Sequence, residues 1–477
     1  MSIGAALNKS ITGLQATQAG LSVISTNIAA ANMPGYVKRE LSVTDGGDGT
    51  HAPGVQSVTI VRALDVAAQA LMRRASTQDG AAATRHEKLQ QLDVMIGGPG
   101  SGQGVDAAFR SFSNALTAIA NDRGNLGAQI GLTAAARKLV TSIDAFSRSI
   151  QTLRSQAEAE IAAGVDEVNG LTAQLASVND ELMRTPNNND LLDRRDRLID
   201  QLATLGDFNY AIGESGRATV TTRGGIMLVG IGGAAKLSFD AKGELGPQDL
   251  YSPDPAARGT GTIMVNGLDL LAGNHFNSGK LGALIALRDH DLAASQRMID
   301  DLAAGLALAA RDPAAAPDKA LFLNGTLAFT ATSRDDPQRI GLSQRLTLNP
   351  AYANAPEQVE TIAVVGTDNV FAMITTRLSS TNFETRPGIT KDASGQQTAS
   401  SFVTRILTDH ASVMAAAADD ADAAQVAKRN FTTLFAGESG VDINAQLADM
   451  IGLQNAYAAN ANVIRTIKDM LDVLNSI

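Results

Sequence analysis

No cysteine occurs anywhere in the 477 residues. That absence excludes disulfides, thiolate catalysis and cysteine-type zinc sites together. It also suits a chain that crosses between redox compartments. Tryptophan is missing too, and aromatic residues make up only 4% of the chain. The cores must therefore be aliphatic, and sugar rings would find few faces to stack on. No run of 18 apolar residues appears, so no membrane insertion is expected. The net charge of −10 leaves no basic stripe to displace counterions, which argues against nucleic acid as a partner. His51, His86, His275, His290 and His410 stand one by one, without metal-ligand spacing. No nucleophile elbow, kinase signature set or phosphate loop is present. Nothing singles out a carboxylate pair for glycoside cleavage. The expectation is a non-enzyme, with no catalytic residue, no cofactor and no metal. Lys9 stands alone where a basic leader region would lie, so export without a cleaved leader is expected.

Charge itself is absent from two places. From Ser10 to Val37 there is no charged side chain of either sign, and from Met450 to Ile464 there is none again. At the C-terminal end Asp442 is placed to cap a helix. Behind it Ile443, Leu447, Met450, Gln454, Tyr457, Ala461, Ile464, Lys468 and Leu471 recur at steps of four and three. That is a heptad seam. At the N-terminal end Leu7, Leu14, Leu21 and Ile28 fall seven apart. A surface helix keeps a charged face, and neither of these does. The two ends are expected to pair. Gly4, Gly13 and Gly20 each cost a helix about 1 kcal/mol, so fraying in the free subunit is expected, with order gained only among copies. Asn32, Met33, Pro34, Gly35 and Tyr36 stop the first helix. Pro34-Gly35 has type II turn chemistry, with glycine supplying the positive φ.

The middle of the chain divides by its periodicity. Val55 to Val61 reads as a strand and Ala67 to Ile96 as a helix. The glycine-rich stretch from Gly97 to Gly104 reads as a linker, since no Gly-Lys-Ser/Thr ends it. Val105 to Leu205 is a run of helices anchored by Phe109, Phe112, Leu116, Ile119, Leu139, Ile143, Phe146, Ile150 and Leu153. Within it Leu191, Leu198 and Leu202 mark a core face. Asp190–Arg194 and Asp193–Arg197 are spaced as i,i+4 pairs. Asp193, Asp196 and Asp200 interleave with arginines, so a solvated face is expected and not a metal cluster. Short alternating runs from Phe208 to Asn277 read as β structure. Gly230 to Ala235 reads there as a hairpin turn, because a strand and not a helix follows it. Gly279 to Arg311 is helical again, 313–399 is mixed, and Ser400 to Leu434 is helical. Asp419, Asp420 and Asp422 lack calcium-loop spacing and belong on an exposed face.

The stretch Asn27 to Arg39, with Asn32-Met33-Pro34-Gly35-Tyr36 at its centre, resembles the N-terminal motif of flagellar rod, hook and hook-associated proteins. Met33 stands where that motif has threonine. Gln454 to Ile464, with Tyr457 and Asn460, is similar to the C-terminal signature of the same proteins. The internal run Asn189-Asp190-Leu191-Leu192-Asp193-Arg194-Arg195-Asp196-Arg197-Leu198-Ile199-Asp200 resembles the hook-associated protein 1 family in particular. So does the helix opening at Gly279.

The resemblance implies a multidomain α+β chain. Long terminal helices would form a coiled-coil-like core, beside a helical bundle domain with β-rich insertions. The expected division is 1–104 with 437–477 as the assembly region, and 105–207 with 278–312 and 400–436 as the bundle. Residues 208–277 would form a β-rich insertion, and 313–399 a mixed one. The implied role is a structural subunit at the hook–filament junction, exported unfolded by the type III apparatus. The implied partners are copies of itself, the hook protein below, a second hook-associated protein above, and an export chaperone on the C-terminal helix. Assembly residues would be Leu7, Leu14, Leu21, Ile28, Asn32, Pro34, Gly35 and Tyr36 at one end. At the other end they would be Leu447, Met450, Tyr457, Asn460, Ile464 and Leu471. A hook or distal-rod subunit is the alternative within the class. An enzyme or adhesin on an axial anchor is the alternative outside it.

Overall fold

The computed structural model describes residues 3–45, 55–96, 104–273, 275–311, 319–331, 333, 336–362, 370–380, 383 and 397–475. They form two compact units, one of residues 1–79, 170–235 and 424–477, the other of 80–169 and 236–423. Three long helices, α2, α4 and α11 below, contribute part of their length to each.

In the first unit, α1 (Ile3–Ala30) ends at the Met33–Tyr36 turn, closed by the Tyr36 N–H donating to the Met33 carbonyl at 3.2 Å. Strands β1 (Arg39–Asp45) and β2 (Val55–Arg62) then pair antiparallel, Arg39 opposite Arg62, and rest on α1. Helix α2 (Val66–Ile96) follows, its first turn capped by Asp65 accepting from the Ala68 N–H at 2.9 Å. From α4 (Leu126–Arg184) this unit takes the last part, with Leu175, Val178 and Leu182 in its core. Pro186 lies just past the end of α4, where its ring bars further helix. Asn188 then caps α5 (Asn189–Leu205), accepting from the N–H groups of Asp190 and Leu191. A small antiparallel sheet runs β3 (Asn209–Ile212), β4 (Ala218–Thr221), β5 (Met227–Gly230), β6 (Gly233–Ala234) in sequential order. Its Ala218 is clamped by the amide of Asn179, which donates to the Ala218 carbonyl and accepts from its N–H, each at 2.8 Å.

The second unit is built on α3 (Gly104–Asn121) and the first part of α4. Phe109, Phe112, Leu116 and Ile119 pack with Leu139, Ile143, Phe146, Ile150 and Leu153 in one continuous core. The three-to-four-residue spacing of these anchors does place them all on the buried side. Strands β7 (Leu237–Asp240), β8 (Thr262–Val265) and β9 (Leu268–Asp269) make a separate three-stranded sheet. The β text of 208–277 thus yields two sheets, one in each unit.

Helix α6 (Gly279–Ala286) passes through a π-helical turn at Leu287–Asp291 into α7 (Leu292–Ala309). The core closes over β10 (Phe322–Asn324), α8 (Leu342–Arg345), β11 (Leu346–Leu348), α9 (Pro350–Asn354), α10 (Val370–Ser379) and the start of α11 (Ala399–Ser439). Helix α12 (Ile443–Asn475) belongs to the first unit. The linker expected at 97–104 lies outside the described residues up to 103. Asp419, Asp420 and Asp422 are exposed on α11.

Candidate assembly site

Helices α1 and α12, each with a long charge-free stretch, pack against each other. Their seam is small and polar. Asn27 Nδ2 donates to Gln446 Oε1 at 2.7 Å. A Cβ added to Gly20 would lie 2.7 Å from Leu453 Cδ1, and one on Gly13 would lie 3.1 Å from Asn460 Nδ2. Positions 27, 20 and 13 thus meet 446, 453 and 460 in heptad steps of opposite sense, so the helices run antiparallel in one register. Glycine permits that approach because it carries no side chain. One heptad further along α12, Ile467 is 4% exposed.

Leu7, Leu14, Leu21 and Ile28 each follow that line by one residue, about 100° around the helix, and are half-buried. On α12, Asn460 sits in the seam, and Met450 and Ile464 are half-buried. Leu447, Tyr457 and Leu471 keep 40%, 39% and 37% of their surface exposed. The expected pairing of the two ends is present. Ile3–Ala30 and Ile443–Asn475 are each a continuous helix. Counting Gly13 and Gly20 only as a cost to the helix missed that they make the contact. Their spacing of seven from Asn27 was the signal.

Asn27, 1% exposed, joins the seam to the turn motif. Its Nδ2 also donates to the Arg39 carbonyl at 2.9 Å, and its Oδ1 accepts from the Tyr36 hydroxyl at 2.8 Å and the Arg39 N–H at 3.0 Å. The Arg39 guanidinium lies over the Tyr36 ring at 5.0 Å. Asn32 and Pro34 are exposed, and Gly35 has φ +73°. A Cβ at Gly35 would also meet the Arg197 side chain, with Cδ at 2.9 Å. Gly35→Ala is therefore expected to cost about 1–2 kcal/mol from left-handed backbone strain alone, read as a lower urea midpoint.

The acidic row of α5 is not the solvated face expected: Asp193 and Asp196 are buried and only Asp190 is exposed. Asp193 and Asp196 are 3% and 2% exposed. Arg39 Nη2 lies 2.5 Å from Asp190 and 3.4 Å from Asp193. Arg62 reaches Asp193 at 2.8 Å and Asp196 at 2.6 Å. Arg73 reaches Asp200 at 2.7 Å and Asp196 at 3.4 Å. Arg195 Nη2 binds Asp196 at 2.6 Å, and its Nη1 donates to the Gly216 carbonyl. Four carboxylates (Asp190, Asp193, Asp196, Asp200) thus meet four guanidinium groups (Arg39, Arg62, Arg73, Arg195). Burial pushes the Asp196 carboxyl up, but Arg195, Arg62 and Arg73 together hold it below the ordinary range. At Asp193 and Asp200 burial wins and the carboxyls are raised. The expected i,i+4 pairs give way to these partners, and Arg194 turns instead toward Glu181 at 3.9 Å. The row fastens the β1–β2 hairpin and α2 to α5.

Ser439 fixes the corner between α11 and α12. Its carbonyl accepts from the Lys38 N–H and its hydroxyl from the Asp65 N–H, both at 2.8 Å. Asp442 caps α12, accepting from the Asn444 and Ala445 N–H groups. A cavity of about 650 Å³ opens between α1, β1 and this corner, lined by Gly20, Gly440, Ala445, Ala448, Asp449 and Gly452 among others. Among the described residues no group of three or more metal-ligating side chains comes together, and no helix is long and apolar enough to cross a membrane.

Residues 89–310 match the flagellar hook-associated protein FlgK helical domain, and residues 435–477 match the flagellar basal body rod FlgEFG protein C-terminal family. Flagellar hook-associated protein 1 of Escherichia coli is 25% identical over 320 residues, covering 63% of this chain and 55% of that protein. Its counterpart in Salmonella typhimurium is 25% identical over 318 residues with the same coverage. That of Bacillus subtilis is 26% identical over 239 residues, 46% of each chain. The chain thus spans about half the length of these relatives. The flagellar hook junction protein FlgK of Burkholderia pseudomallei aligns with a TM-score of 0.45 and 22% identity, over 53% of this chain and 46% of that one. The chain is thus similar to the flagellar hook-associated protein FlgK helical domain over residues 89–310 and to the rod-type C-terminal family over 435–477.

Proposed function

We propose that this protein is a structural, non-enzymatic subunit of the bacterial flagellum at the hook–filament junction. It is exported by the type III apparatus and assembles outside the cell through residues 1–104 and 437–477. The observation that carries this reading is the apolar surface left beside a completed helix pair. Ile443, Leu447, Ile451, Tyr457, Val463, Met470, Leu471 and Val473 of α12 are all exposed, although α12 already has α1 as its partner. Apolar surface of that extent belongs to an interface. Leu7, Leu14, Leu21 and Ile28 flank the same seam, and the assembly set is completed by Asn32, Pro34, Gly35, Tyr36, Met450, Asn460 and Ile464. Sister copies, the hook protein below and a second hook-associated protein above cover these flanks, and an export chaperone shields α12 beforehand.

The C-terminal match to rod proteins supports the second reading, a rod or hook subunit. The match of 89–310 to the hook-associated helical domain favours the junction. Leu471→Asp, or deletion of 441–477, is expected to leave a folded, soluble second unit but no assembly and no motility. Electron microscopy of the deletion strain tests the assignment. Hooks without filaments are the expected image, and normal filaments would overturn it.

A further inference from the structure

Asp300 of α7 is 5% exposed and has no cationic partner among the described residues. Its Oδ1 accepts from the Gln296 amide at 3.1 Å, the Ser343 N–H at 2.9 Å and the Ser343 hydroxyl at 2.6 Å. Its Oδ2 accepts from the Gly341 N–H alone, at 2.8 Å. A carboxylate oxygen offers about two lone pairs, so Oδ2 has one to spare. All of these donors are neutral. Burial pushes the carboxyl up, although the hydrogen bonds from Ser343, Gly341 and Gln296 hold it down. Buried carboxylates are ordinarily paired with a cation, and this one is not.

Asp300 lines a cavity of about 260 Å³ in the second unit. Drug-sized ligands occupy about 300–1,000 Å³, so the occupant is small. Pro247, Leu250, Ala293 and Ile340 give the cavity aliphatic walls. Three more charged residues line it. Arg339 and Asp301 pair with each other at 3.1 Å. Arg297 is exposed and has no side-chain partner among the described residues. It precedes Asp300 by three residues, which sets the two side chains side by side on α7, about 5–6 Å apart at Cβ. The cavity thus offers one buried anion without a cation, one cation without an anion, and apolar wall between loop and helix.

We infer that this cavity binds a free α-amino acid with an aliphatic side chain, of about the size of leucine. The ammonium group donates to Asp300 Oδ2 and the carboxylate accepts from Arg297. A single carbon separates those two groups in an α-amino acid, which suits side chains one helical turn apart. The aliphatic part lies against Pro247, Leu250 and Ala293, with Ile340 at the rim. An amine without a carboxylate would meet Arg297 unpaired, and an acid without an ammonium group would meet Asp300.

Calorimetry and saturation-transfer NMR on the full chain test this with L-leucine, isopentylamine and 4-methylpentanoate, the last two each lacking one charged group of the first. Leucine is expected to bind saturably, and each analogue at least about tenfold more weakly, for the loss of one charge-assisted contact. Arg297→Gln, at an exposed position that holds no other side chain, should weaken leucine by a similar factor and leave isopentylamine no weaker. Asp300 itself is a poor target, because it also fastens the start of α8. Hydrogen exchange should show leucine protecting α7 and residues 339–345. Absence of saturable leucine binding, equal binding of isopentylamine, or leucine affinity unchanged by Arg297→Gln would each overturn the site. The assembly reading stands or falls separately, on filaments in the deletion strain.

Discussion

Asp196→Ala is expected to lower the unfolding free energy of the first unit by about 3–5 kcal/mol, the range for removing one member of a buried ion pair. The effect is large because Asp196 touches Arg62, Arg73 and Arg195 at once. Its loss leaves the buried Arg62 and Arg195 and the mostly buried Arg73 each short of a carboxylate. Asp196→Asn keeps the volume and part of the hydrogen bonding, so it should cost less. Hydrogen exchange locates the loss, which should fall on α5, β1 and β2. The sign of the pH dependence follows from the depressed carboxyl of Asp196. Its stabilisation is fully present above its unfolded pKa of about 3.9 and is lost as pH falls through the lower folded value. The gap between the natural chain and the asparagine variant should therefore close only under strong acid. A gap unchanged from pH 7 to pH 2, or an alanine variant within 1 kcal/mol of the natural chain, would contradict the buried network.

Glu158→Ala should cost the second unit a similar amount, about 3–5 kcal/mol. Glu158 is 1% exposed and accepts from Arg288 Nη1 at 2.5 Å. It also accepts from the backbone N–H groups of Lys242 and Gly261, both at 2.9 Å. Arg288 is wholly buried at the π-helical turn and holds Asp289 with its remaining nitrogens, while Arg154 lies beside it, its Nε donating to the Arg288 carbonyl. Without Glu158 two buried guanidinium groups face one carboxylate, and two backbone donors lose their acceptor, each costing about 1–3 kcal/mol. Glu158→Gln retains an acceptor and separates the charge term from the hydrogen-bond term. Protection should fall in α4 and in β7 and β8, with α1 and α12 unaffected. An exchange pattern spread evenly over both units would refute the assignment.

The helices were legible wherever one face is greasy and the other charged. On α3 and α4 every apolar anchor from Phe109 to Leu153 is buried, because amphipathic period and burial coincide there. On α1 and α12 the period was legible and the phase was not. A line of leucines draws attention, yet the contact between the helices runs through Gly13, Gly20 and Asn27, one residue away. Backbone proximity is set there by the lack of side chains, which no hydrophobic count registers.

The α5 acids were misjudged for another reason. Their partners are far off in the chain, Arg39 lying 154 residues before Asp193, and local spacing rules see only neighbours such as Arg194 and Arg197. The strands of 208–277 were readable from alternation. Their division into two sheets depends on which strands pair, and alternation carries no such information.

The repeat in the α1–α12 contact has a mechanical corollary. Since both lines advance by seven, sliding one helix along the other by a heptad, about 10.5 Å, would bring Gly20 to Asn460 and Gly13 to Ile467. What breaks the degeneracy is the single amide of Asn27, which in the slipped alignment would face Leu453 and lose its bond to Gln446. One buried side chain thus acts as the detent on an otherwise sliding rail, as isolated polar residues do in other coiled helices.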